Sequence, residues 1–549
     1  MDASFYRCKQ VLVVDDCAPV RSSIKAILQQ MGFEAIHLAR DANEALEKCL
    51  ELPFDFILCD FHLGEGRDGH QLFESLKQQQ LLSALCCFII ISAENQRQTI
   101  HGVIELQPDD YILKPFSFPI LSERLTRAVK QKIALRKILI NLFEQDEQQA
   151  IKACESVVKN KPEFSAAANR LKGELLLKTG QYAAAEHFYQ QILDSRNFAW
   201  ARLGRALAAF YLERWDDTEL QLADLTQYDE TKVEALDWLS RLYVKYGRYD
   251  AAQKTLYEAV LLAPKNITRQ KTLSNLNTII GNKEAAARIN QKLIAAARFS
   301  MHETPDLYLN HARSLIDVAY SKNLLERTIF LQHATQLLDG LNKRFDVSRL
   351  TQAIAITRSR VLAARGQLLE AKELLNAQGQ LENSSLTIDG CMDAAKAHFE
   401  LGDLHASEFY IDKLAGFLAQ DDFLTETQRI MLKMEQQRHQ QLKAQIKQIN
   451  SEAAEAYQAQ YFGRATSLFC ELLDYMPTNP VIALNLLQAA SKVSGLTEQT
   501  LSYSRKAIQL LLRCELSNTN QDKFNLYYQQ LCEQYPELQQ RAKRQQGAE

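Results

Sequence analysis

The hydrophobic period of this chain changes once, near residue 128, and that change limits the folds open to it. Before it, short apolar runs alternate with helical segments. VLVVD (11–15), EAIHL (34–38), DFILCD (55–60), CFIIIS (87–92) and DYILK (110–114) read as strands. Between them, stretches such as PVRSSIKAILQQMG and DANEALEKCLEL carry apolar residues at helical spacing. Gly32 is placed to end the first of these helices, and Asp41 to cap the second. Five strands alternating with helices predict an α/β domain, a doubly wound parallel sheet covered on both faces. From about Ile133 the strands stop, and only helical periods remain.

In sheets of this kind ligands bind outside the carboxyl ends of the strands. Strand one runs into Asp15-Asp16, strand three ends in Asp60, strand four in Ser92 and strand five in Lys114. Three carboxylates, a hydroxyl and an ammonium therefore share one rim. The carboxylates alone would raise one another's pKa values. A hard divalent cation, Mg²⁺ by availability, relieves that repulsion through oxygen ligands and retained waters. Asp60 keeps an oxygen with which to attack phosphorus, because a carboxylate can form an acyl phosphate. Lys114 would neutralise the phosphoryl oxygens, and the Ser92 hydroxyl would hydrogen-bond one of them.

With these residues in place, residues 8 to about 128 resemble the receiver domain of bacterial two-component response regulators, a flavodoxin-like fold. The motifs are Asp15-Asp16, Asp60 in ILCDFHLGEGRDG, Ser92-Ala93 in IIISAE and Lys114-Pro115-Phe116 in YILKPF. The resemblance implies that Asp60 is the phosphoacceptor and that Asp15, Asp16, Asp60 and the backbone carbonyl of His62 hold Mg²⁺. It also implies that Ser92 and Tyr111 form the switch pair, that Lys114 pairs with the phosphoryl group, and that a histidine kinase is the donor. The loop after Asp60, HLGEGRDG, departs from the pattern: it is one residue longer and lacks the usual proline. A plainer reading stands beside each motif. A DD pair alone is commonly a helix cap, Tyr111 also fits a half-buried strand aromatic, and His62 also fits an exposed loop residue or a general base. The receiver could also be a degenerate, unphosphorylated one, although none of its core acids is missing.

In the second half the repeats come first. VEALDWLSRLYVKYGRYDAAQKTLYEAVLLAPKN (233–266) orders Leu236, Leu239, Ser240, Tyr243, Gly247, Tyr249, Ala252, Leu256, Ala259 and Pro264 as the tetratricopeptide repeat does. That unit is a helix–turn–helix of about 34 residues. Gly281 lies 34 residues after Gly247, Trp215 lies 34 before Tyr249, and Tyr182 lies 33 before Trp215. An earlier half-unit places Ala150, Cys154, Val157 and Pro162 in the same phase. Small residues such as Ala185, Ala252 and Ala286 would let paired helices approach, while Tyr189 and Leu256 fill the gap to the next pair. Neighbouring pairs must stack, because no pair buries its face alone. The pattern returns in 364–378, 400–414 and 458–480; between 298 and 350 only helical periods are visible.

The reading is therefore a receiver domain (1–128), tetratricopeptide-like repeats (129–297), irregular helical pairs with further repeats (298–420), and a long polar helix with C-terminal repeats (421–549). The whole is an α/β domain followed by an all-α helical-repeat superhelix. Ser117 and Pro119 start a helix that runs without a breaker toward the first repeat, so one continuous helix is expected to join the halves. Residues 424–460 read as one exposed polar helix, with a homodimerising coil as the alternative, and the tail QQRAKRQQGAE as frayed.

Charge and composition narrow the function. Lys and Arg number 64 against 67 acids, which gives no field for nucleic acid or an anionic membrane. The first residues carry no signal-peptide core, and no apolar run reaches a membrane span. The 11 Cys lack metal-ligand spacing, and Cys49, Cys59, Cys86, Cys87 and Cys154 fall in apolar periods, so a reducing, cytoplasmic setting is expected. After residue 128 there is no Gly-rich phosphate loop, HExxH, nucleophile elbow or basic helix-turn-helix, and the run RAVKQKIALRK reads as a solvated helix side. An enzyme is not expected beyond the receiver's own phosphorylation and dephosphorylation. The function expected is a phosphorelay response regulator whose repeats bind a protein partner in a phosphorylation-dependent way. The alternatives are a phosphate sink or kinase-docking modulator, and a repeat region that serves only as scaffold.

Overall fold

The computed structural model describes residues 3–93, 105, 107–377, 386–418 and 420–539. The expected frayed tail lies outside the described residues. Five strands, β1 (Gln10–Val14), β2 (Ala35–Ala39), β3 (Phe56–Asp60), β4 (Cys87–Ser92) and β5 (Asp110–Leu113), form an all-parallel sheet in the order β2-β1-β3-β4-β5. The described helices of this domain are α1 (Ala3–Arg7), α2 (Ala18–Met31), α3 (Ala42–Glu51), α4 (Gly69–Gln78) and α5 (Phe118–Ala134).

Strand alternation splits the core into two layers. Leu12, Val14, Ile57, Cys59, Phe88 and Ile90 face α3 and α4, packing on Leu46, Cys49, Leu72 and Leu76. Val11, Val13, Phe56, Leu58, Ile89 and Ile91 face α2 and α5, packing on Ile24, Leu28, Leu121 and Leu125. Continuous burial on β1, β3 and β4 is what a parallel sheet covered on both faces requires. Gly32 ends α2 in the left-handed region at φ 101°, and the Asp41 carboxylate caps α3 by accepting from the N–H groups of Asn43 and Glu44. Ser117 is the cap residue of α5, but its hydroxyl makes no capping bond.

Helices alone follow. They are α6 (Arg136–Phe143), α7 (Glu147–Asn160), α8 (Ser165–Lys178), α9 (Tyr182–Ser195), α10 (Ala199–Tyr211), α11 (Trp215–Leu225), α12 (Lys232–Lys245), α13 (Tyr249–Leu262), α14 (Ile267–Ile279) and α15 (Lys283–Ala297). The expected unbroken helix between the halves is interrupted: α5 stops at Ala134, Leu135 adopts ψ 3°, and α6 begins at Arg136. This one-residue break lets the apolar side of α6, with Ile138 fully buried, turn onto α7 and its Ala150 and Cys154. The turn inside each helix pair needs a residue at positive φ. Gly180, Gly247 and Gly281 supply it at 74°, 71° and 80°, while Gln145 and Glu213 are held there at 61° and 60° without glycine's freedom. Ala185, Ala252, Ala286, Tyr189 and Leu256 are all buried between helices.

The chain divides into two compact units, Met1–Ile280 with Gln291–Thr304 and Gly281–Asn290 with Pro305–Glu549, so α15 contributes to both. The second unit continues with α16 (Pro305–Ala319), α17 (Leu324–Gly340), α18 (Thr351–Ala364), α19 (Leu368–Asn376), α20 (Ile388–Glu400), α21 (Leu404–Ala415), α22 (Phe423–Gln458), α23 (Phe462–Tyr475), α24 (Pro480–Ala490), α25 (Glu498–Arg513) and α26 (Asn518–Gln534). Residues 298–350, without a legible repeat, still form a packed helix pair, α16 and α17. The long polar helix is present as α22, 36 residues, but it is not exposed along its length. Leu432 packs with Ile411 and Leu414 of α21, and Ile449, Ala453 and Ala456 pack with α23 and α24, so these apolar positions are covered within this chain, while Met434 is exposed. No helix among the described residues is long and apolar enough to cross a membrane.

Candidate functional site

The site is made by strand ends. Strand β1 stops at Val14, one residue before the acid pair; the Asp15 N–H still reaches the Ala39 carbonyl, and the chain then turns as an Asp15 carboxylate oxygen accepts the Cys17 N–H at 2.9 Å. That turn leaves Asp15 buried and Asp16 exposed at the rim. Strand β3 ends on Asp60, which is 9 % exposed. Lys114 follows β5 directly, and the Lys114–Pro115 bond is cis. Its ammonium donates to Asp15 Oδ2 at 2.8 Å and to Asp60 Oδ2 at 2.7 Å.

Carboxylate oxygens of Asp15, Asp16 and Asp60 all lie within 4.8 Å of one another. Three hard oxygen donors against one ammonium leave the cluster net anionic, which suits a small divalent cation. Burial pushes the Asp60 carboxyl above the usual carboxylate range, and Lys114 offsets this only in part. Burial also works against the Lys114 charge, but the hydrogen bonds to Asp15 and Asp60 outweigh it and hold the ammonium above its ordinary value.

The other sequence-derived residues fall around this centre. Ser92 is fully buried at the end of β4, and its carbonyl accepts the Lys114 N–H at 2.7 Å. Tyr111 is half-buried on β5 and packs against the layer containing Phe61 and Leu63. The His62 N–H hydrogen-bonds the Asp60 carboxylate, while its exposed ring stands edge-on to Phe61. The extended loop passes over the acid pair: a Cβ on Gly64 would lie 3.4 Å from Asp16 Oδ2.

Sequence reasoning missed a set of contacts between this loop and the repeats. Lys265, after α13, pairs with Asp68, and His302, after α15, pairs with Glu74 of α4. The pairing partners lie 197 and 228 residues apart, and no local pattern marks them.

Residues 11–126 match the response regulator receiver domain family, and residues 233–266 match the tetratricopeptide repeat. Chemotaxis protein CheY-3 of Vibrio cholerae is 29 % identical over 127 residues, 23 % of this chain and 96 % of that protein. The phosphate regulon transcriptional regulatory protein PhoB of Escherichia coli is 32 % identical over 126 residues, 23 % of this chain and 53 % of that protein. Response regulator RR06 of Streptococcus pneumoniae is 28 % identical over 128 residues, 23 % of this chain and 56 % of that protein. The chain thus spans about half the length of these last two relatives.

Proposed function

The chain is a response regulator receiver domain fused to tetratricopeptide-like repeats, and from that premise we propose that it is a phosphorelay adaptor switched at Asp60. The observation that carries this reading is the Lys114 ammonium bridging Asp15 and Asp60 at the open ends of three strands. An Asp60 carboxylate oxygen attacks the phosphorus of a kinase phosphohistidine. The P–N bond breaks as the P–O bond forms, and the departing imidazole nitrogen keeps the electron pair and takes up a proton. Lys114 balances the charge gathering on the phosphoryl oxygens, and Ser92 supplies a hydroxyl to one of them. Asp15, Asp16, Asp60 and the His62 carbonyl would hold Mg²⁺, whose charge screens the acids from the incoming anion.

Once Asp60 carries the phosphoryl group, Ser92 and Tyr111 reorganise and the repeats change their affinity for a protein partner. Coupling of this kind is typically about 1–3 kcal/mol, or roughly 5- to 150-fold in affinity. Neither half is given a substrate of its own beyond the phosphoryl group, and the buried, unpaired cysteines fit a reducing cytoplasm. Incubation of the full chain with magnesium and acetyl phosphate should label position 60. Labelling elsewhere, or none, rejects the acceptor assignment. Asp60→Ala then separates the adaptor and phosphate-sink readings, which both lose their phosphate dependence, from a docking inhibitor, which keeps working.

A further inference from the structure

We propose that the repeats read the acceptor loop directly: Lys265 and its neighbours clamp the segment from Phe61 to α4, and phosphorylation of Asp60 tightens that clamp. The inference rests on the acceptor reading above and adds to it the surface through which the signal leaves the receiver.

The loop is fixed at both ends. At its far end the Gly69 N–H donates to the Phe61 carbonyl at 2.9 Å. A Cβ on Gly69 would come within 2.1 Å of the Asp60 carbonyl oxygen, so the start of α4 is packed on the backbone of Asp60 itself. Asp68 caps α4 by accepting the Gln71 N–H, and the same side chain binds the Lys265 ammonium at 2.5 Å. That ammonium also lies 4.2 Å from the centroid of the Phe61 ring. One cation of the repeats therefore touches the residue after Asp60 and the residue that closes the loop.

The contact extends from the loop onto α4. Arg67 Nε donates to the Phe299 carbonyl at 2.9 Å and Gln71 Nε2 to the Arg298 carbonyl at 3.2 Å. His302 Nε2 meets Glu74 Oε1 at 2.7 Å. Beyond α4, the Arg269 guanidinium is shared between Asp237 of the repeats and Glu105 of the receiver. In each of these three pairings the receiver supplies the carboxylate (Asp68, Glu74, Glu105) and the repeats the nitrogen group (Lys265, His302, Arg269). A phosphoryl group carries about 1.5 to 2 negative charges, and since the acyl bond uses up the carboxylate's own charge, the site gains up to about one. Added one residue from the Phe61 ring that Lys265 covers, this charge strengthens the pull on the ammonium. By linkage, the ammonium in turn favours the phosphorylated state.

The test uses the full chain with magnesium and acetyl phosphate, reading the labelled fraction at Asp60, and with magnesium and beryllofluoride, reading amide hydrogen exchange. Wild type should label, and beryllofluoride should slow exchange in both 61–74 and 263–304. Lys265→Ala should lower the labelled fraction about five-fold or more and abolish the slowing, and Lys265→Arg should restore both. His302→Ala, at the other end of the clamp, should act in the same direction with a smaller loss. Fluorescence of Trp200, Trp215 and Trp238 reports that the repeats remain folded. If both alanine variants label and slow exchange as wild type does, the clamp carries no signal and the acceptor reading stands. If wild type itself does not label, the acceptor reading falls and the clamp falls with it.

Discussion

Two clusters of buried charge, one in each unit, use the same residue types to opposite ends. In the receiver, Asp15 and Asp60 share Lys114, and Asp16 stands at the rim with them. In the second unit, the buried Arg360 of α18 binds Asp393 at 2.8 Å, Asp317 at 2.6 Å and Glu400 at 2.7 Å. Arg313 adds a second contact to Asp393 at 3.0 Å, and Lys396 one to Asp317 at 2.8 Å. Thr357 completes the set by donating to Asp393 at 2.6 Å. Three cations meet three acids there, and the cluster closes on itself. Among the described residues, Lys114 is the cation that pairs with the carboxylates of the receiver cluster, and that cluster opens at a strand end. Burial opposes the charge of both Asp60 and Asp393. The cations around Asp393 overcome it and hold that carboxyl low, whereas Asp60 remains pushed up. A balanced, enclosed network ties helices together; an unbalanced one at a rim is ready to take a cation and an anion.

The largest expected effect is all-or-none. Asp60→Asn should abolish labelling by acetyl phosphate, while hydrogen exchange in α18 and α20 stays as in wild type. Persistent labelling would erase the functional side of the contrast.

Next come the two cations. Arg360→Met takes from the buried Asp317, Asp393 and Glu400 the guanidinium they share, a change that should cost about 3–5 kcal/mol. Lys114→Met removes charged hydrogen bonds at a rim that water and added cations can reach, and should cost about 1.5–3 kcal/mol. Urea unfolding followed by exchange in α18 and in β3 checks the ranking. Equal losses would mean that the two clusters are alike in their dependence on charge balance. Magnesium gives the third contrast. At a hundred-fold excess over its dissociation constant it should stabilise the receiver by about 2.7 kcal/mol and leave exchange in α20 unchanged. Asp16→Asn should remove most of the receiver's gain.

The receiver was open to sequence reasoning because its chemistry sits at chain-local landmarks. Each of Asp15, Asp60, Ser92 and Lys114 ends or follows an apolar run of parallel-strand type, so topology alone brings them to one edge. The repeat turns were legible for a similar reason: Gly247 and Gly281, 34 residues apart in the sequence, both sit at positive φ. What escaped depends on pairing across long separations. The break at Leu135 has no proline or glycine to announce it. The burial of α22 follows from helices that come before and after it, and Lys265 looks like any loop lysine until α4 is placed beside it. The charge network of the second unit is equally silent, because Arg313, Arg360 and Asp393 occupy positions on α16, α18 and α20 where a solvated charged face reads just as well.

The smallest effect concerns acid and tests whether the enclosed network works as ions. Asp393 has a folded pKa below that of an unfolded aspartate, about 3.9, because Arg313 and Arg360 outweigh the cost of its burial. A depressed carboxyl contributes stability that is fully present above the unfolded pKa and disappears as pH falls through the folded value. Asp317 is depressed in the same way by Lys396 and Arg360 and adds to the slope. Glu400, held up by its burial, runs the other way: its contribution is complete below the unfolded pKa and fades as pH rises through the folded one. With both aspartates depressed, the network should weaken below about pH 4. The stability gap between wild type and Asp393→Asn, read from urea unfolding of the helical signal, should therefore be constant from pH 5 to 7 and narrow at more acid values. A gap that holds unchanged well below pH 3 would show that Asp393 acts through shape and neutral hydrogen bonds. The distinction between a closed ionic lock and an open ionic rim would then rest on access alone.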